Sequence, residues 1–193
     1  MHRRFLLELL DRYQAEHGDE REVVEQIRSF VRVHPDCFER TCLPGHVTGS
    51  AWVVSADLER ALLTHHAKLG RWLQLGGHAD GESDTFQVAL REAQEESGMA
   101  HFREPFGRVH PVPMDVDVHA IPARGSEPAH LHHDIRYLLI AAPDQEVIAS
   151  SESHDLRWVP FDEIETLSDE ESLLRLDRKA RRLLRRLASE PGG

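Results

Sequence analysis

Three glutamates within one short stretch are the residues of this sequence best suited to do chemistry. Glu92, Glu95 and Glu96 lie in the segment 76–99, GGHADGESDTFQVALREAQEESGM. On an α-helix, like charges spaced three or four residues apart repel by about 0.2–0.5 kcal/mol per exposed pair. Mg²⁺ or Mn²⁺ would relieve this repulsion, because these ions prefer carboxylate oxygens and leave positions for phosphate oxygens. A solvated acidic face without any ligand is the alternative.

Both ends of the acidic helix are marked by residues that cap helices. Asp84 is predicted to cap its first turn, with Gln87 as the capping-box partner, and Gly98 to supply a left-handed C-terminal cap. Ahead of the helix, Gly76 and Gly77 are expected to form a turn that approaches a ligand closely and offers a carbonyl to the metal. A plain turn is the alternative for Gly76. Helical spacing predicts an inward apolar stripe of Phe86, Ala89, Leu90 and Ala93.

The whole segment resembles the signature of the Nudix hydrolases, which is a glycine, a glutamate after five residues, and R-E-x-x-E-E-x-G after seven more. The one departure is Ser83, which stands where the first glutamate is expected, while Glu82 lies one residue earlier. In the family this glutamate supports the helix and the later ones bind metal, so the resemblance implies altered support and a retained site. The matching residues are Gly77, Arg91, Glu92, Glu95, Glu96 and Gly98, with Ala93 and Met99 at apolar positions.

The resemblance implies a metal-dependent hydrolase of a diphosphate linkage, in a nucleoside diphosphate joined to another group. Mg²⁺ or Mn²⁺ is the implied cofactor, held by Glu92, Glu95 and Glu96, with Arg91 offsetting part of their charge. One of these glutamates or Glu152, from a loop before a tryptophan-containing strand, would act as base. A solvated loop carboxylate is the alternative for Glu152.

Two other classes of function stay open at the level of the sequence. A ligand-binding or regulatory module without turnover is favoured by Ser83, which alters the signature. A hydrolase or isomerase of a non-nucleotide diphosphate is the other alternative, and the polar array described next would then recognise an unusual substrate.

A second polar array, H-x-H-H-D-x-R, precedes the apolar run 137–142. Alternate residues of a strand face one side of a sheet, so His130, His132, Asp134 and Arg136 are predicted to share a face and to contact substrate oxygens. Arg136 would offer a two-pronged grip on phosphate. Zinc binding by the array is a lower-ranked alternative, and ordinary structural hydrogen bonding is another.

Composition limits the remaining choices. The chain has 193 residues, 40% of them hydrophobic, which suits one domain with an appended element. A net charge of −11 argues against a nucleic-acid polymer or an anionic membrane as partner, and it leaves a small-molecule diphosphate as the expected one. Cys37 and Cys42 match no metal or redox motif. Glu8 and Asp11 interrupt what would be the apolar core of a signal peptide, so a cytoplasmic protein is expected.

Periodicity predicts the elements around these residues. The resemblance implies an α+β fold with a Nudix-like mixed β-sheet sandwiched between helices, over residues 41–193. Residues 1–40 are predicted to form two amphipathic helices packed on that domain, with dimerisation or a lid as the alternatives. The arginines of the last helix are expected to keep their charged groups in solvent, with a nucleic-acid-binding arm as the alternative. Strands are predicted at 47–55, 61–65, 69–75, 112–118, 137–142 and 155–160, and further helices at 161–167 and 170–187.

Overall fold

The computed structural model describes residues 2–66, 70–125, 127–148 and 153–189. The helices are α1 (His2–Glu16), α2 (Arg21–Val33), α3 (Thr85–Ser97), α4 (Ile164–Leu167) and α5 (Glu171–Ser189), with 3₁₀ turns at Gly18–Glu20 and Phe161–Glu163. The strands are β1 (Gly45–Val54), β2 (Arg60–His66), β3 (Arg71–Leu73), β4 (Leu75–His78), β5 (Phe102–Arg103), β6 (Asp115–Ile121), β7 (His130–Ala141) and β8 (Ser153–Pro160). No helix in the described part of the chain is long and apolar enough to cross a membrane.

The described strands form one mixed sheet. Its centre is the parallel pair β1 and β7, which stay in register from Gly45 opposite Leu131 to Val54 opposite Ile140. The strand order is β3-β2-β1-β7-β5, while β4 also pairs with β1, β6 with β7 and β8 with β2, all antiparallel. Helices cover both faces of the sheet, so the predicted α+β fold is confirmed.

Strand β1 is buried along its whole length, and its alternate residues supply two different cores. Val47 and Ala51 pack in the core that contains the buried side chains of α1, α2 and α3. Trp52 and Val54 pack in the other core, with the apolar stripe of α5. The two N-terminal helices therefore share a hydrophobic core with the sheet, through Leu6, Leu10, Tyr13, Ile27 and Val31 among others.

Helix α3 begins and ends at the predicted capping residues, but the predicted capping box with Gln87 is wrong, because the Asp84 backbone amide donates to the Glu82 carboxylate instead. The Asp84 carboxylate accepts hydrogen bonds from the backbone amides of Phe86 and Gln87, at 3.1 and 3.4 Å, and Gly98 closes the helix with a φ of 69°. The predicted apolar stripe packs inward, with Ala89 and Ala93 fully buried.

The prediction of a turn at Gly76 and Gly77 is wrong. Both glycines belong to β4 and pair with Ser50 and Gly49 of β1. The array from His130 to Arg136 belongs to β7 itself, because this strand begins at His130 and not at the predicted position 137. Polar side chains thus occupy a central strand, where burial requires them to find partners within the protein.

Gly49 sets how closely α3 approaches the sheet. A Cβ atom at this position would lie 2.8 Å from the Thr85 carbonyl oxygen and 2.8 Å from Cβ of Val88. The site can therefore take no side chain without a shift of the helix that carries the glutamates.

Gly49→Ala is expected to destabilise the protein by about 1–3 kcal/mol, because the added methyl group overpacks the contact between β1 and α3. Urea unfolding followed by circular dichroism measures this. Gly18→Ala is the matched control, since a Cβ atom there meets nothing within 4 Å. Equal stabilities of the two variants would contradict the account of Gly49.

Candidate active site

Two of the three glutamates turn toward the glycines of β4. The Glu96 carboxylate accepts a hydrogen bond of 3.2 Å from the Gly76 backbone amide. Glu92 lies against Gly77, where a Cβ atom would come within 2.5 Å of Oε2 of Glu92. The absence of a side chain at Gly77 therefore makes room for the Glu92 carboxylate. Glu95 is exposed on the same helix.

Arg91 fixes one of these carboxylates. Its guanidinium donates to Oε1 of Glu92 at 2.8 Å and to the His78 backbone carbonyl at 2.6 Å. Burial raises the pKa of Glu92, and the neighbouring Glu95 adds to this, while the hydrogen bond and charge of Arg91 oppose it. Arg91 thus compensates part of the negative charge and ties α3 to the end of β4.

This group of carboxylates suits a hard divalent cation. Its donors are all oxygens, as Mg²⁺ and Mn²⁺ prefer, and the Glu92 carboxylate takes up the space that a side chain at position 77 would fill. Glu92, Glu95 and Glu96 are the described residues that would hold such an ion.

The turn before α3 carries Glu82, one residue ahead of the position where the signature has its first glutamate. The Glu82 carboxylate accepts a hydrogen bond of 2.8 Å from the Asp84 backbone amide, directly ahead of the first turn. Ser83 is partly buried between them. Glu82 therefore supports the start of α3 from one residue earlier than the signature places its glutamate.

Asp134 and Arg136 lie together in a buried network. The guanidinium of Arg136, only 2% exposed, donates to Asp134 at 2.7 Å, to Asp117 at 2.9 Å and to Asp115 at 3.1 Å. Asp134 also accepts hydrogen bonds from the hydroxyls of Thr48 and Ser50. This arrangement does not favour the predicted grip on a substrate phosphate, because the protein's own carboxylates occupy the prongs of the guanidinium. The list of further partners of Arg136 includes Ser172 of α5, at 2.8 Å.

Sequence reasoning missed the other half of this network. Asp115 is fully buried and accepts hydrogen bonds from Arg175 and Lys179 of α5, as well as from Arg136. Burial alone would raise the pKa of Asp115, but the three cations outweigh it and lower the pKa. The prediction that the arginines of α5 keep their charged groups in solvent is therefore wrong for Arg175, whose guanidinium donates to Asp115 and Asp117. Asp115 and Asp117 of β6 were not identified from the sequence as partners of Arg136.

A cluster of histidines lies on the same face of β1 and β7. The His46 ring centre is 4.8 Å from that of His132, 4.9 Å from that of His130 and 4.9 Å from that of His78. Burial, together with the neighbouring histidines, lowers the pKa of His46 to about 4 and that of His132 to about 2. The two rings are therefore uncharged at neutral pH. His46 and His78 were missed in the sequence, although His46, Thr48 and Ser50 alternate as the array on β7 does.

The predicted general base, Glu152, lies outside the described residues. Asp155, the next acidic residue along the chain, is exposed on β8 beside Arg157.

The comparisons with known proteins agree with this fold and this helix. The family model described as NUDIX domain matches residues 45–187. A NUDIX family hydrolase from Clostridium perfringens superimposes with a TM-score of 0.56 at 23% identity, over 72% of this chain and 97% of its own. The Ap4A hydrolase of C. elegans gives a TM-score of 0.52 at 16% identity, over 72% of this chain and 97% of its own. The E. coli dihydroneopterin triphosphate pyrophosphohydrolase gives a TM-score of 0.52 at 12% identity, over 69% of this chain and 92% of its own.

The fold and the acidic helix define a hydrolase of the Nudix type. Because the family model covers most of the sequence, the chain belongs to the Nudix family. None of the curated proteins compared with the sequence matches it.

Arg136→Lys is expected to destabilise the protein by about 2 kcal/mol, because a lysine keeps the charge but loses hydrogen bonds to the buried carboxylates. Urea unfolding measures this, with exposed Arg103→Lys as the control. KM for a diphosphate substrate should stay within roughly twofold of the parent value, since the side chain is buried. A tenfold higher KM at unchanged stability would instead support the prediction that Arg136 binds a substrate phosphate.

Proposed function

We propose that this protein is a metal-dependent hydrolase that cleaves the diphosphate linkage of a nucleoside diphosphate joined to another group. The observation that carries the proposal is the convergence of Glu92 and Glu96 on the two glycines of β4, with Glu95 exposed on the same helix. Mg²⁺, or Mn²⁺, would be held by these three carboxylates. When bound, the ion supplies positive charge that stabilises the phosphate oxygens and the attacking oxygen during the reaction.

The residues of the chain prepare this site before any ligand arrives. Arg91 orients Glu92, and the Gly76 amide orients Glu96, so two of the carboxylates are fixed by hydrogen bonds from the protein. Groups held in position in this way need no reorganisation during the reaction. Gly77 has no side chain, and this lets the Glu92 carboxylate lie directly against the backbone of β4.

The bond changes are those of hydrolysis. A water oxygen forms a bond to one phosphorus, the bond from that phosphorus to the bridging oxygen breaks, and the second phosphate group leaves. The proton of the water passes to a carboxylate, which we assign to one of the α3 glutamates or to Glu152.

We propose substrate contacts for the backbone of Gly76 and Gly77, but not for Asp134 and Arg136 of the array on β7. Asp134 and Arg136 are assigned a positioning role, since they hold β1, β6 and α5 together through hydrogen bonds. We also place the protein in the cytoplasm, a location supported by the free, buried thiols of Cys37 and Cys42, which suit a reducing compartment.

Glu95→Gln and Glu96→Gln are each expected to lower the metal-dependent kcat by at least about 100-fold, because each removes a charged ligand. The measurement is release of phosphate or nucleotide from a panel of nucleoside diphosphate derivatives, with Mg²⁺ or Mn²⁺. The panel includes Ap4A and dihydroneopterin triphosphate, for which two structural neighbours are named. Glu22→Gln, at an exposed position of α2, is the matched control. Unchanged turnover in both α3 variants would end the metal assignment, and no turnover by the parent on any compound would favour a binding module.

Ser83→Glu, which restores the signature spacing, is expected to change kcat/KM by less than about tenfold. The reason is that Glu82 already bonds to the Asp84 amide and supports the start of α3. The test is to measure kcat/KM for the parent protein, for Ser83→Glu and for Glu82→Gln by steady-state kinetics. A gain of about 100-fold, or about 2.7 kcal/mol of transition-state stabilisation, would show that Glu82 does not replace the signature glutamate.

A further inference from the structure

The histidine cluster has features that neither packing nor the proposed hydrolysis explains. His46 is only 1% exposed, and among the described residues neither of its ring nitrogens makes a hydrogen bond of normal geometry. A buried polar group without a partner costs about 1–3 kcal/mol. Its burial beside two other imidazoles therefore indicates that the group has a ligand.

The ring nitrogens of three histidines are close enough to share one ion. One ligand atom from each of His46, His130 and His132 lies within 4.8 Å of the other two. Nε2 of His130 is 3.3 Å from Nε2 of His132. In a tetrahedral site with Zn–N bonds of about 2.0–2.1 Å, two nitrogens lie about 3.3–3.4 Å apart. The pair on β7 already has this separation, and a ring nitrogen of His46 lies within 4.8 Å of both.

The surroundings also orient the ligands. Nδ1 of His130 lies 2.9 Å from the Pro128 carbonyl oxygen, so Nδ1 carries the proton and the lone pair of Nε2 points toward Nε2 of His132, where a metal ion would replace the hydrogen bond between the two rings. The register of the sheet places His46 directly opposite His132, which fixes their Cα atoms side by side. His78 on β4 and His119 on β6 are the next imidazoles, with ring centres 5.3 and 5.4 Å from that of His132.

We propose that His46, His130 and His132 form a binding site for Zn²⁺, separate from the carboxylates of α3. Three imidazoles suit zinc, whereas Mg²⁺ prefers oxygen ligands, so the two sites would select different metals. Three protein ligands leave a fourth position for His78, for water or for an oxygen of the substrate.

The same rings fit an anion site less well. An imidazole attracts phosphate strongly when it is protonated, and buried histidines in mutual contact resist protonation. Neutral imidazole is the form that binds metal. The cluster is nevertheless adjacent to the acidic helix, because the backbone carbonyl of His78 accepts the hydrogen bond from Arg91, which also holds Glu92.

The test is zinc binding by the metal-stripped full-length protein in the presence of excess Mg²⁺, measured by competition with a chromophoric chelator. About one Zn²⁺ per chain is expected, with a rise in melting temperature of about 5–10 °C at a hundredfold excess over Kd. Co²⁺ in its place should give the intense visible absorption of a four-coordinate ion, which oxygen ligands in an octahedral site do not give.

His132→Gln and His46→Leu should each weaken zinc binding at least about 100-fold. The second variant replaces a buried ring by an apolar side chain and so keeps a folded sample if the first unfolds. His101→Gln, at an exposed histidine outside the cluster, is the matched control and should bind zinc like the parent.

Glu96→Gln separates this inference from the proposed function, since it should lose Mg²⁺-dependent turnover and keep its zinc. Loss of zinc in Glu96→Gln would place the ion at the carboxylates and overturn the proposal. It is overturned equally if both histidine variants bind zinc like the parent, or if inorganic phosphate stabilises the parent while Zn²⁺ does not.

Discussion

The parallel pairing of β1 with β7 is the constraint on which the rest of the structure depends. Because the two strands stay in register over ten residue pairs, each polar residue of one strand has a fixed neighbour on the other. His46 lies opposite His132, Thr48 opposite Asp134, and Ser50 opposite Arg136. A shift by one residue would turn these side chains into the core that contains α3 and bring apolar side chains to the polar face.

Buried charge is the main energetic cost of this arrangement, and the protein balances it locally. The carboxylates of Asp115, Asp117 and Asp134 face the cations of Arg136, Arg175 and Lys179. Desolvating so many charges is tolerated only when each finds opposite charges and hydrogen bonds, which is why removing one partner costs more than the pair contributes. Lys179 also donates to the Tyr13 hydroxyl, so the network joins α5 to the N-terminal helices as well as to the sheet.

Small residues perform the corresponding task at the acidic helix. Gly49 allows α3 to lie directly on β1, and Gly77 leaves the space that the Glu92 carboxylate takes up. The proposed metal site therefore depends on absent side chains as much as on the glutamates. Arg91 then compensates part of their charge and connects them to His78, whose ring belongs to the histidine cluster.

The acidic helix, its capping residues and the family could be predicted from the sequence alone, because capping residues, helical spacing and the signature are local patterns. It also determined most strands, since alternating or continuous apolar runs follow from burial of one or both faces. The contacts between residues that lie far apart in the sequence could be seen only in the tertiary structure. Arg136 was predicted to bind phosphate because its type suits that task, but the fold surrounds it with Asp115, Asp117 and Asp134. His46 and His132 become neighbours only through strand register, which is set by packing across the whole sheet and cannot be derived from spacing along the chain.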